Sequence, residues 1–456
     1  MAGAVRGTAG SGGALRLAVI GGGWAGLSAA VHAVQRGHAV TLFEMARHWG
    51  GRARSLPDTD GLDNGQHILI GAYRDTLALM RTVGVDPDKV LLRRPLALCG
   101  ADGQGLRLEA GPAAWAFAAA VLRSGAWPWR ERIALLHACA GWARAGFACR
   151  PDRSVAELCA ALPSAVRLRL IDPLCVAALN TPAAEASAAV FLRVLRDGLF
   201  GGRGACDLLL PRRPLNALLP EPAARWLAGH GAELRPGQRV TSLVRDAAAW
   251  QVDGRPFDGV VLACPAAEAA RLAAPLAPAW AALAAGLRFE PIVTVTLRCR
   301  GARLALPMLA LAEDARSPAQ FVFDHAQLGG PAGRFSFVVS GAARWVAAGL
   351  DACAAATQRQ AAEQLAASGW QRGQASLEAV FAERRATFRC TPALQRPPAV
   401  IAPGLAAAGD YVAGPYPATL EGAVRAGIAA LEALEPREAL HVPTMQNRVS
   451  SSSNPP

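Results

Sequence analysis

A chain of 456 residues with 52% hydrophobic and 18% charged residues holds ample apolar surface for a core and exceeds the roughly 250 to 300 residues at which single cores stop growing, which excludes a disordered protein and points to two domains. Its net charge of +12 is carried almost wholly by arginine, with Lys89 the sole lysine. That bias reads as a GC-rich genome, and with no basic run interleaved with aromatics nucleic acid is a poor candidate partner, while an anionic membrane surface stays open.

Residues 1–14 are small, glycine-rich and without an apolar h-region, so they read as a disordered leader and not a secretory signal. From Leu15 to Phe43 the order is strand (LRLAVI), glycine turn (GGGWAG), helix and strand (AVTLF), a βαβ unit. In the turn, the missing side chains of Gly21, Gly23 and Gly26 let backbone N–H groups at the start of a helix, with Trp24 and Ala25, approach a pyrophosphate. Glu44 ends the next strand, where its carboxylate can accept both ribose hydroxyls of an adenosine and repel a 2′-phosphate.

Arg47 to Ser55 (RHWGGRARS) follows at once. An NAD site has no need of it. A second glycine pair, Gly50 and Gly51, with Arg52 as a charge partner, suits a longer dinucleotide such as FAD.

From about Leu91 to Cys206 the pattern turns mostly helical, with apolar residues recurring at three and four, as in WRERIALLHACAGWA, and reads as an inserted substrate domain. Here Trp127, Trp129, Arg130, Arg132 and Trp142 have two readings, an interfacial patch on a membrane or the aromatic packing of that domain. No run approaches the ~18 to 20 apolar residues of a spanning helix. The ten cysteines show no CxxC pair and no Cys/His cluster, so a reduced, cytoplasmic protein without a structural metal is expected, with peripheral contact at the inner face of the membrane left open.

The stretch from Gln238 to Pro265 returns to strand-and-turn patterning, with a turn at Asp253-Gly254 and a buried-type run from Val260 to Ala263, and is assigned to the nucleotide-binding domain, Val240 being a candidate cofactor contact. Strand-like runs between Pro291 and Cys390 predict the sheet of a second domain. A short strand, a loop and a helix fill 406–434, and the polar tail after them is expected to be mobile. The FAD-binding domain is therefore expected to comprise 15–90, 206–270 and 400–436, the substrate domain 91–205 and 271–399, and the tail 437–456.

The segments around Gly50-Gly51-Arg52 and Ala408-Gly409-Asp410-Tyr411, with Tyr416 to Ala423 (YPATLEGA), resemble the extended FAD signature of the amine oxidase and phytoene desaturase superfamily. The resemblance implies a Rossmann-type α/β FAD-binding domain interleaved with an α+β substrate domain. It implies that Gly409 and Asp410 bind ribityl or phosphate oxygens, and that Thr419 and Leu420, at a helix N-terminus, face the flavin pyrimidine edge. Such a terminus can stabilise the negative charge of reduced flavin.

Three further stretches, Asp172 to Pro182, Asp207 to Pro211 and Arg385 to Pro392, resemble the squalene-associated branch of the desaturases in bacterial hopanoid synthesis. That branch implies an apolar C30 isoprenoid substrate and a reductive reaction, in which the allylic hydroxyl of hydroxysqualene is removed and squalene and water result. Other enzymes of squalene and hopanoid synthesis would be its partners. Asp63 and His67, in the segment DNGQH, are the candidate acids, each with a structural alternative, a turn residue for Asp63 and a satisfied buried imidazole for His67. Asp172 reads as a helix cap.

Two departures stand against an amine substrate. The lysine that many amine oxidases hold near flavin N5 has no counterpart other than Lys89, and Thr419 occupies the position of an aromatic cage residue. Oxidative desaturation of an isoprenoid and non-catalytic carriage of one by a flavin-bearing protein are the alternatives.

Overall fold

The run Arg16–Ile20 lacks polar alternation because both of its faces are covered. Leu17, Ala18, Val19 and Ile20 are all buried, the pattern of a central parallel strand. It pairs in parallel with Ala39–Glu44 on one side and Gly259–Leu262 on the other. Glu233–Pro236 extends the sheet beyond Ala39–Glu44, and Leu405–Ala407 extends it on the opposite side. Val400–Ala402 then adds an antiparallel edge strand, the sixth. The structure is a computed structural model and describes residues 13–246, 249–370 and 373–435. The tail expected over 437–456, and positions 1–12 of the expected leader, lie outside the described residues.

The helix Trp24–Gln35 is pressed against the helix Leu420–Leu434. A Cβ on Gly427 would come 2.4 Å from the Ala25 carbonyl oxygen, so only glycine permits this approach. Ser28 Oγ donates to the Val424 carbonyl at 2.8 Å across the same seam. Segments far apart in the chain thereby meet, and with them the first glycine turn and the C-terminal motif.

The second sheet is antiparallel, in the order Met308–Ala310, Phe321–Asp324, Arg334–Val339, Phe289–Arg298, Ser376–Phe388. Its period of two divides it cleanly. Val293, Val295, Leu297, Phe335 and Phe337 pack beneath the helix Leu350–Gln364, while Ile292, Phe321, Phe323 and Val338 face a cavity.

Helices Ala113–Arg123, Trp129–Arg144, Ser164–Val166, Asp172–Leu179 and Ala188–Leu199 make the remaining wall. A π-helical turn, Arg167–Ile171, joins Val166 to Asp172. Pro173 has no N–H and its ring crowds the carbonyl four residues back, which the widened turn ahead of it accommodates. Asp172 is thus inside a helical run, not a cap at its start.

Two other features bear on the sequence expectations. Leu243–Arg245, Trp250–Val252 and Arg255–Phe257 form a small antiparallel sheet of their own, separate from the parallel one; its hairpin turns at Asp253 and Gly254, with φ +46° and +78°, as the two-residue turn requires. The five aromatic and basic residues of the helical wall also do not act as one patch. Trp127 is only 2% exposed and donates Nε1–H to the Ala165 carbonyl at 3.4 Å, and Trp142 packs against the core, whereas Trp129 is exposed.

Candidate active site

A cavity of about 950 Å³ lies between the two sheets and the helical wall. The first motif contributes Gly21, Gly23, Trp24 and Ala25, the next strand Glu44, and the second glycine turn Gly50, Gly51 and Arg52. Val240, Gly409, Asp410, Thr419, Leu420 and His67 also line it. Gly26 lies behind the lining; a Cβ there would fall 1.8 Å from the Gly21 carbonyl oxygen, so it serves the close packing of turn on helix.

Asp63 does not face the cavity. Its carboxylate accepts from Ser55 Oγ at 2.7 Å and from the Leu215 N–H at 3.0 Å, fastening the 55–63 loop to the helix Leu215–Leu218. Burial raises its pKa to about 6, although both hydrogen bonds favour the carboxylate. The expected acid is therefore a loop fastener, the turn role that was its alternative.

His67 does reach the cavity. Its Nδ1 lies 2.8 Å from the Gly65 carbonyl, so Nδ1 carries the proton and donates it, leaving Nε2 as an acceptor. Burial lowers its pKa, and the nearby Arg52 charge adds to the effect. A neutral imidazole with this tautomer accepts at Nε2, which does not suit the proton-donor role expected for it.

Glu44 is buried, and its two oxygens accept from the Gly22 N–H at 2.7 Å and the Ala46 N–H at 2.8 Å. A carboxylate has about four acceptor positions, so lone pairs remain for hydroxyls. The helix Trp24–Gln35 opens without a side-chain cap and without an acid in its first turn, which leaves its N–H groups and positive dipole end free for an anion. Thr419 caps the other helix, accepting from the Gly422 N–H at 2.9 Å. Glu421, two residues on, is wholly turned to structure: it accepts from the N–H groups of Asp75 and Thr76 and from Thr76 Oγ1 at 2.7 to 3.1 Å, capping the helix Arg74–Thr82 from another part of the chain.

Arg52 meets Asp410 in an ion pair, so the two expected ligand-binding charges neutralise one another. Arg54 is the residue the sequence reading passed over. It lines the cavity, pairs with no carboxylate among the described residues, and its Nε is buried without an acceptor there; NH1 donates to the Gly51 carbonyl at 2.6 Å. The sequence signal was only its place two positions after the motif arginine. The three tyrosines of the chain, Tyr73, Tyr411 and Tyr416, all line the cavity as well, a convergence that the sequence did not reveal.

Residues 24–434 match the family model described as flavin containing amine oxidoreductase. The chain belongs to this family. The chain is 29% identical to a hydroxysqualene dehydroxylase of Sinorhizobium fredii, over 90% of this chain and 95% of that one. It is 28% identical to a hydroxysqualene dehydroxylase of Rhodopseudomonas palustris, over 90% of this chain and 96% of the other. Among solved structures, an oxidoreductase from Methanosarcina mazei superposes with a TM-score of 0.69 at 15% identity, covering 92% of this chain and all of that one, which shows a shared fold. The protein is an FAD-dependent oxidoreductase. The residues present fit that cofactor: an uncapped helix start and an orphaned Arg54 Nε await an anion, and Glu44 retains acceptors for a ribose.

Proposed function

We propose that the protein reductively removes the allylic hydroxyl of hydroxysqualene to give squalene. The observation that carries this reading is the continuity of the cavity. It passes from the dinucleotide cradle into a chamber walled by Leu98, Phe117, Leu174, Phe289, Phe321 and Phe323, in a chain whose relatives of nearly equal extent bear that activity in their names. Lys89 is an exposed partner of Asp86 and is absent from the lining, and Thr419 is a helix cap, so neither device expected of an amine site is present.

Glu44 would hold the adenosine ribose, the start of helix Trp24–Gln35 with Arg54 the diphosphate, and Asp410 with the Leu420–Leu434 helix start the flavin half. Reduced FAD, when bound, would supply the hydride that takes the place of the hydroxyl and the proton with which that hydroxyl leaves as water. The chain's own contribution is a dry apolar wall that binds a C30 chain by burial, at about 25 cal/mol per Å², and keeps water from recapturing an allylic cation.

The wall also suggests the route of entry. Phe117 and Leu170 face the cavity, while Trp115, Leu122, Trp129, Ile133 and Leu168 of the same helical block are exposed. Arg132 donates to the Leu122 and Trp127 carbonyls and Arg169 to that of Ala126, which draws the three segments together. An apolar face edged by arginine suits the surface of an anionic bilayer. No helix among the described residues is long and apolar enough to cross one.

Anaerobically reduced enzyme given hydroxysqualene is the test, and squalene is the expected product. If the reduced enzyme leaves the alcohol untouched while the oxidised enzyme adds double bonds to a polyene, desaturation replaces this reading.

A further inference from the structure

Two hydroxyls, those of Ser340 and Thr387, interrupt the apolar side of the cavity, among Leu179, Phe289, Ile292 and Val338. Ser340 directly follows the strand Arg334–Val339, and Thr387 is paired with Glu290 near the end of the strand Ser376–Phe388. Between them lies Asn180, buried, with a left-handed backbone at φ +46° where its helix ends, a conformation asparagine tolerates.

Every polar atom of the Asn180 side chain is committed. Oδ1 accepts from the Gly341 N–H at 2.7 Å, and Nδ2 donates to Thr387 Oγ1 at 2.9 Å and to the Glu290 carbonyl at 3.3 Å. An amide N–H therefore fills one lone pair of Thr387, and the proton of the Thr387 hydroxyl must point elsewhere. No acceptor takes it among the described residues. Ser340 Oγ is likewise unpartnered there, although Gln320 holds the Ser340 backbone at both N–H and carbonyl. Hydroxyls open to an apolar cavity can be satisfied by an oxygen-bearing ligand, whereas a hydrocarbon packed over them leaves them unmet at a cost in free energy.

The position relative to the cofactor cradle is also fixed. Arg52 donates to the carbonyls of Arg385 and Ala386 at 3.2 and 2.9 Å, the two residues immediately before Thr387. The strand that carries Thr387 is thus tied to the same guanidinium that meets Asp410.

We infer that Thr387, oriented by Asn180 and assisted by Ser340, binds the hydroxyl oxygen of an isoprenoid alcohol and so sets which carbon of the long substrate comes to rest beside the cofactor. This rests on the reading of the substrate as an alcohol. Thr387 would touch substrate; Asn180 is a positioning residue.

Binding without turnover separates the two claims. Oxidised, FAD-loaded enzyme is titrated with hydroxysqualene and, separately, with squalene, following the perturbation of the flavin spectrum. Wild type is expected to prefer the alcohol. In Thr387→Val, which keeps the side-chain shape, affinity for the alcohol should fall about tenfold, the scale of one hydrogen bond, with affinity for squalene unchanged; Thr387→Ser should restore it. Flavin retained by each variant reports an intact fold. Equal loss for both ligands, no loss for either, or a wild type without preference for the alcohol overturns the inference. A wild type that binds the alcohol selectively yet fails to reduce it overturns the proposed reaction alone.

Discussion

Arg52 and Asp410, 358 positions apart in the chain, form an ion pair. Burial opposes the guanidinium charge, but the carboxylates of Asp410 and Glu383 more than offset it, and the Arg52 pKa is raised. With its bonds to the Arg385 and Ala386 carbonyls, one side chain joins the second glycine turn, the C-terminal motif and the last strand of the antiparallel sheet. Asp410→Ala should therefore do more than remove a cofactor contact. We expect it to lower stability by roughly 1 to 3 kcal/mol, the cost of leaving a largely buried charge without its partner, and to release flavin during desalting. Equal denaturation midpoints for variant and wild type would show that the pair contributes nothing to the fold.

Because Asp410 already neutralises Arg52, Arg54 is a half-buried cation of the cavity that no carboxylate neutralises among the described residues. Arg54→Ala should leave the folded apo-protein as stable as wild type while weakening FAD binding by about tenfold, in the range of a charge-assisted hydrogen bond. Binding is read from quenching of flavin fluorescence on adding FAD to the apo-protein. If Arg54→Ala binds FAD with wild-type affinity, the diphosphate is held without Arg54.

The contrast between these arginines shows how much the sequence could reveal. The glycine turn and the place of Glu44 at a strand end were legible because each answers a backbone or charge requirement that fixes residue type at fixed spacing, whereas Asp410 stood out only by the resemblance of its motif. The βαβ unit and the long strands of the second sheet were legible by period. What the sequence could not carry was pairing between distant segments. Nothing local distinguishes an arginine that meets Asp410 from one that waits for an anion, or shows that Asp63 turns toward Leu215. The short strands Met308–Ala310, Phe321–Asp324 and Glu233–Pro236 were missed because three or four residues are too few to display a period. The tautomer of His67 depends on the Gly65 carbonyl, which only the folded turn brings to Nδ1.

Asp63 makes stability depend on pH. Its folded pKa of about 6 lies above the ordinary 3.8, so below about 4 the group is protonated in both states and its contribution is fully present. As pH rises through 6 the folded state must surrender a proton it holds more tightly than the unfolded chain does, and that contribution is lost. Asp63→Asn keeps an acceptor for Ser55 and Leu215 but cannot ionise. Its melting temperature relative to wild type should rise between pH 5 and pH 8. A difference that stays constant across that range would show that Asp63 is ionised normally.

Glu421 belongs to the C-terminal motif but acts as a remote cap. Its two oxygens take three hydrogen bonds, from the Asp75 and Thr76 N–H groups and from Thr76 Oγ1. Glu421→Gln replaces one of those oxygens with an amide that faces donors, and should cost about 1 to 3 kcal/mol, seen as a lower denaturant midpoint with an unchanged slope. Should Glu421→Gln prove as stable as wild type, the motif glutamate must be retained for some contact with the flavin instead.

The exposed face of the helical wall bears on how a water-insoluble substrate arrives. Trp115 and Leu122 lie seven residues apart on one helix, and Trp129 and Ile133 four apart on the next, so each pair shares a helical face. Leu168 is exposed on the π-helical turn whose neighbour Leu170 lines the cavity. Insertion of such side chains into a bilayer is driven by burial and assisted by arginine near anionic headgroups. The doubly substituted Trp115→Ser, Trp129→Ser protein should co-sediment with phosphatidylglycerol vesicles several-fold less than wild type. It should still reduce hydroxysqualene presented in detergent at the normal rate, because neither side chain reaches the cavity. If wild type fails to co-sediment, or if both proteins bind the vesicles equally, this face is not where the enzyme meets lipid.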